Sequence, residues 1–142
     1  AAGAVYVKDL DTFLPKTDFL SLHLPYTPKN HHIIGHEELR ALPSSAYVIN
    51  TARGGLIDEN ELFKALESGN LAGAGLDCFE QEPPSKNLKL LNSEKVIVSP
   101  HNASLTAECT RRLGLVCVEN VVDALTGCLK KERVVNWDAV HA

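Results

Sequence analysis

Several things missing from this sequence narrow it before anything present is considered. No Gly-x-Gly-x-x-Gly occurs in its 142 residues. Gly69, Gly73 and Gly75 have the wrong spacing and fall in a strand pattern, not between a strand and a helix. By spacing alone, nothing here cradles a pyrophosphate. No window is long and apolar enough to span a bilayer, so no membrane partner is expected. The start, Ala1-Ala2-Gly3-Ala4-Val5, lacks the basic residues and apolar stretch of a secretory signal. No cysteine pair is spaced C-x-x-C; Cys78, Cys109, Cys117 and Cys128 argue against a zinc or redox motif. A disulfide scaffold is not expected either, and a reducing, cytoplasmic location fits better. Positive charge is also short. With 14 Lys and Arg against 18 Asp and Glu, the net charge of -4 speaks against nucleic acid or an anionic membrane as partner. There is no repeat and no low-complexity tract.

What is present has the balance of a soluble domain: 44% hydrophobic and 23% charged residues, in a length that fits one compact unit with a sizeable core. Short apolar runs alternate with helical segments, which predicts an α/β fold with a parallel sheet. Residues 10–15 read as a helix and 19–24 as a strand closed by Pro25. A loop with Pro28 leads to a short helix over 37–42, stopped by Pro43. Residues 46–50 read as a strand. Asp58 then looks like an N-cap, with Glu61 placed for a capping box, and Gly69 ends that helix. Strands follow over 71–76 and 96–98. Gly73 and Gly75 suggest close backbone approach by a neighbour or ligand. The last long helix spans about 104–126 and stops at Gly127. Leu105, Cys109, Leu113, Cys117, Val121 and Leu125 recur every four residues, predicting a broad buried face and reduced core cysteines.

The chemistry collects where strands end. Strand 46–50 leads into Thr51-Ala52-Arg53-Gly54-Gly55, strand 71–76 into Asp77, strand 96–98 into Ser99-Pro100-His101, and strand 19–24 carries His23. In open α/β sheets ligands bind outside these carboxyl ends. Arg53 is permanently charged and forked, suited to a carboxylate. His101 titrates near neutrality and can move a proton. Glu82, if it contacts His101, would favour the imidazolium and orient the ring. Together they suit oxidation of a hydroxyl beside a carboxylate. Singly, each has a plainer reading: Arg53 as a surface ion pair, His101 as a cap or core histidine, Asp77 as a turn cap, Glu82 as loop surface. Their gathering at successive strand ends favours a site. His31, His32 and His36 cluster loosely around a loop, where a solvated loop is favoured over a metal site, and no metal is expected. His23 reads as holding the strand-end turn.

The run Val48-Ile49-Asn50-Thr51-Ala52-Arg53-Gly54-Gly55-Leu56-Ile57-Asp58-Glu59 resembles a signature of the D-isomer-specific 2-hydroxyacid dehydrogenases. The likeness continues through Leu76-Asp77, Phe79, Glu82-Pro83, Pro100-His101 and Thr106, with Thr17-Asp18 to Pro25 upstream. It covers residues 3–127. It implies the second half of a Rossmann-type parallel sheet with flanking helices: a partial NAD-binding domain over 1–127, then a tail over 128–142 returning toward a substrate domain. It implies NAD as cofactor, with NADP not excluded, and a small 2-hydroxy or 2-keto acid as substrate. By the resemblance Arg53 binds the substrate carboxylate, His101 is the catalytic histidine and Glu82 its acid partner. Leu24, Thr51, Ala52, Arg53, Asp77, His101, Asn102 and Ala103 would line the cofactor. Ala103 stands where the family usually has glycine, Asn102 where an apolar residue is common, and Cys78 where valine is common. The family's phosphate loop would lie upstream of Ala1, so the chain is expected to be a fragment of a longer, homodimeric protein. The rival expectations are a non-catalytic NAD-binding module of corepressor type, or an inactive piece whose site residues are relics.

Overall fold

The computed structural model describes residues 3–140. The first two and last two residues, which bound the expected divisions 1–127 and 128–142, lie outside the described residues. The chain forms two compact units, one ending at Ala103 and the other beginning at Ser104.

In the first unit four parallel strands pair in the order β1 (Phe19–Leu22), β2 (Tyr47–Asn50), β3 (Gly73–Leu76) and β4 (Val96–Val98). The register sets Leu20, Val48, Ala74 and Val96 in one row, and Leu22, Asn50, Leu76 and Val98 in another. Successive side chains alternate between faces, so both rows point the same way. Leu20, Leu22, Val48, Ala74 and Leu76 are buried there, whereas Phe19, Tyr47 and Ile97 on the opposite face are exposed. Phe19 and Tyr47 cover part of that face by stacking on each other, with centroids 5.6 Å apart. Helices α1 (Leu10–Phe13), α2 (His36–Ala41) and α3 (Glu59–Glu67) precede β1, β2 and β3 in turn. Leu39, Leu62, Ala65 and Leu66 bring the apolar sides of α2 and α3 into the core.

Helix α3 shows how local sequence places an element. The Asp58 carboxylate accepts hydrogen bonds from the Asn60 and Glu61 amides, both at 3.0 Å, satisfying donors that have no partner inside the helix. Glu61 does not close the reciprocal half of the capping box; it binds Lys64, and His36 Nδ1 at 2.8 Å. Gly69, at φ +77°, ends the segment in the left-handed region that glycine tolerates.

Three expectations are corrected. Strand β1 stops at Leu22, so His23 and Leu24 lie beyond it, with His23 Nε2 2.8 Å from Ser21 Oγ. The close approach expected at both strand glycines holds only at Gly73, where a Cβ would sit 3.0 Å from the Lys95 carbonyl oxygen and from the Tyr47 ring. At Gly75 the nearest atom would be 4.0 Å away, an ordinary contact. In the second unit, α4 (Ala107–Leu125) is capped by the Thr106 hydroxyl, which accepts from the Cys109 amide at 3.1 Å. Gly127 follows it at φ +71°, and a short α5 (Trp137–Val140) comes later. The face of α4 expected to be buried is not: Leu113, Val121 and Leu125 are exposed and no residue of the helix is buried. Cys109 is half-buried and Cys117 exposed, while Cys78 is the buried thiol. Periodicity shows which side of a helix is apolar; it does not provide what covers that side.

Candidate active site

The loop after β2 is built by one buried side chain. Asn50 is 1% exposed. Its amide nitrogen donates to the Arg53 carbonyl at 2.8 Å, and its amide oxygen accepts from the Ala52 backbone N–H at 3.0 Å. The Thr51-Ala52-Arg53 turn is thereby pinned at both ends. Gly54 follows because nothing larger fits: a Cβ there would collide with the backbone of Phe79 and Glu80, in the loop after β3. At Gly55 a Cβ would lie 2.7 Å from the Tyr26 ring. Arg53 Nη1 donates to the Ala52 carbonyl at 2.6 Å, which steadies the guanidinium and leaves its other donors for a ligand.

The loop after β4 is held by Asp77, which is 3% exposed at the end of β3. Its carboxylate accepts from Ser99 Oγ at 2.6 Å, the Asn102 amide at 2.8 Å and the Ala103 amide at 2.9 Å. Burial taken by itself raises the Asp77 pKa. The bonds from Ser99, Ala103 and Asn102, with the neighbouring His101 charge, outweigh it and bring the group below the ordinary aspartate value. Between these anchors His101 sits at φ +52°, a backbone conformation uncommon for a residue other than glycine. The surrounding bonds over-determine it, as strained residues at functional sites require.

Glu82 completes the set. It accepts from the Phe79 amide at 3.0 Å, and its two oxygens lie 2.9 and 2.8 Å from His101 Nδ1. The His101 bond, followed by the Phe79 amide, lowers the Glu82 pKa from its usual value; the Arg53 charge acts in the same direction. An ionised carboxylate only accepts, so the ring nitrogen facing it, Nδ1, is the one that donates.

Arg53, Glu82 and His101 line one open pocket of 460 Å³, shared with Tyr26, His31 and the backbone of Gly54 and Gly55. A second pocket of 370 Å³, lined largely by Phe79, Pro83, Pro84, Leu91, Val98 and Pro100, shares Glu82 and His101. Leu24 packs partly buried against the core. Thr51 is exposed and Ala52 half-buried in the pinned turn, and Asn102 and Ala103 are exposed just past His101. The amides of Asn102 and Ala103 are committed to Asp77.

Some residues of the site were not singled out by sequence. Asn50 carried a signal, an Asx residue at a strand end before a turn. Tyr26 carried none. His32 is part of a defined network and not of a loosely solvated loop. Its Nε2 lies 3.0 Å from Glu80 and its Nδ1 3.4 Å from Asp58, with φ at +53°. Among the described residues there is no cluster of three or more metal-ligating side chains.

Residues 1–103 match the family described as D-isomer specific 2-hydroxyacid dehydrogenase, NAD binding domain. The chain belongs to this family. It is 45% identical over 126 residues to glyoxylate/hydroxypyruvate reductase B of Cronobacter sakazakii, covering 89% of this chain and 39% of that protein. It is 44% identical over 119 residues to a glyoxylate reductase of Thermofilum pendens, covering 84% and 35%. The NAD-complexed form of a D-isomer specific 2-hydroxyacid dehydrogenase from Lactobacillus delbrueckii ssp. bulgaricus superposes with a TM-score of 0.81. The identity is 33%, over 87% of this chain and 42% of that one. As a member of the 2-hydroxyacid dehydrogenases, the chain thus spans between 35% and 39% of the length of these two curated relatives.

Proposed function

We propose that this chain supplies the carboxylate-binding and proton-transferring half of an NAD(P)-dependent dehydrogenase acting on a small 2-hydroxy or 2-keto acid. The observation that carries the proposal is the Glu82–His101 pair opening on the same pocket as Arg53. The Arg53 fork would hold the substrate carboxylate through parallel charged hydrogen bonds, fixing the neighbouring carbon. His101 Nε2 would take the hydroxyl proton during oxidation and return it during reduction. Glu82 would orient the ring and stabilise the imidazolium formed on the way, as carboxylate partners of catalytic histidines do.

The residues present fit one end of a dinucleotide. Leu24, Thr51, Ala52, Asn102 and Ala103 lie just past the carboxyl ends of β1, β2 and β4, the rim where parallel sheets bind such ligands. The methyl side chains of Ala52 and Ala103 leave the backbone there open. These residues would hold the nicotinamide end, with Asp77 contributing through the turn that it anchors. When bound, the cofactor supplies the hydride acceptor or donor. In the full protein, residues 128–142 would lead back toward a substrate domain. A homodimer is supported by exposed Leu113, Val118, Val121 and Leu125 on α4.

The non-catalytic NAD-binding alternative is not favoured, because relatives 44–45% identical over most of this chain are named as reductases. The test is NADH oxidation by the full-length protein with a panel of small 2-keto acids. Saturable turnover is expected. Tight NADH binding without turnover of any 2-keto acid would support the non-catalytic module.

A further inference from the structure

Tyr26 and His31 form a polar wall on the Arg53–His101 pocket, and the sequence assigned neither a role. Three observations fix the wall in place. Segment 32–34 pairs with segment 55–58: the His32 amide donates to the Gly55 carbonyl at 2.8 Å, Ile34 to Leu56 at 3.0 Å, and Asp58 back to Ile34 at 3.1 Å. The loop carrying Tyr26 and His31 is therefore tied to the loop carrying Arg53. Gly55 leaves room for the Tyr26 ring, where a Cβ would intrude to 2.7 Å. The His31 ring stacks on His32 with centroids 3.7 Å apart, and His32 is itself held by Glu80 and Asp58.

The wall offers hydrogen bonds without a fixed charge. The Tyr26 hydroxyl lies 3.3 Å from His31 Nδ1, and the two rings meet edge to face. Among the described residues His31 Nε2 has no hydrogen-bond partner. The rest of the lining sets the charge that the pocket accepts. Arg53 is its one guanidinium and would be used by the substrate carboxylate, whereas Glu80 and Glu82 are both acidic. A second anionic group, such as a phosphate, would meet these carboxylates with no guanidinium left to offset them. A neutral hydroxyl would meet a matched donor and acceptor.

We infer that Tyr26 and His31 are specificity-determining residues that select 2-keto acids bearing a neutral hydroxyl on C3 over those bearing hydrogen or a phosphate there. This rests on the dehydrogenase function proposed above.

The test compares kcat/KM of the full-length protein for hydroxypyruvate, pyruvate and 3-phosphohydroxypyruvate, before and after Tyr26→Phe and His31→Leu. In the unsubstituted protein hydroxypyruvate is expected to be preferred over both others. Each substitution is expected to lower the ratio of hydroxypyruvate to pyruvate kcat/KM about tenfold, the scale of one lost hydrogen bond to substrate. A general structural role would lower both substrates by the same factor and leave that ratio unchanged, which would overturn the inference while leaving the dehydrogenase function intact. Preference for the phosphorylated acid would overturn it too. Absence of turnover with all three acids in a protein that reduces glyoxylate would count against the wall alone; absence with glyoxylate as well would bring down both.

Discussion

Arg53 and a lysine would carry the same charge, yet they are not equivalent here. A lysine ammonium is a single point of charge and cannot reproduce two parallel hydrogen bonds to a carboxylate. Arg53→Lys is expected to lower kcat/KM for 2-keto acids about a hundredfold, with most of the loss in KM, as steady-state kinetics would show. Glu82→Gln keeps the shape of the side chain but replaces the acceptor-only carboxylate beside His101 Nδ1 with an amide. It is expected to lower kcat and to move the alkaline limb of keto-acid reduction to lower pH, read from the pH profile of kcat/KM. An unchanged profile would show that Glu82 does not act through His101. Both ends of the Asn50 side-chain amide are used within the Arg53 turn. Asn50→Ala would remove the partners of the Arg53 carbonyl and the Ala52 N–H, both part-buried, at about 1 kcal/mol for each bond. Urea titration should register that loss.

At the scale of elements, two loops at the sheet's rim are set by residues at strand ends, β2 through Asn50 and β3 through Asp77. The Asp77 pKa is depressed in the folded chain. The stability it contributes is therefore present above the ordinary aspartate range and is lost as pH falls through the depressed value. Asp77→Asn is expected to abolish this acid-side dependence and to speed amide hydrogen exchange at Asn102 and Ala103. Exchange rates equal to those of the unsubstituted chain would contradict the anchoring role. The elements themselves were largely legible in sequence, because each strand is a short apolar run punctuated by Pro or Gly, and α3 announces its start with Asp58 and its end with Gly69. The misplaced ends have a simple cause. Leu24 and Leu71 extend the apolar runs past the paired residues, the Leu71 amide donating to the Ala65 carbonyl of α3 at 3.2 Å, and pairing, not hydrophobicity, ends a strand. The Tyr26–His31 wall was not legible, since it depends on segment 32–34 pairing with 55–58 and on a ring filling the space over Gly55. Neither leaves a period in the sequence.

At the scale of the molecule, the nearness of Arg53 and His101 was legible because each closely follows a strand, and a parallel sheet brings its carboxyl ends to one rim, whereas Glu82 reaches His101 from within the loop after β3. The buried face expected of α4 was not realised, since an apolar stripe does not identify its partner. A dinucleotide site needs both halves of its fold. This chain is therefore expected to bind NADH far more weakly by calorimetry than the full-length protein does. The most direct measurement is kcat/KM for 2-keto acid reduction by the full-length protein, compared with its His101→Ala and Arg53→Gln variants at matched NADH occupancy. Both variants are expected to lose about a thousandfold or more while still binding NADH. Turnover by either variant within a few-fold of the unsubstituted protein would contradict the shared site.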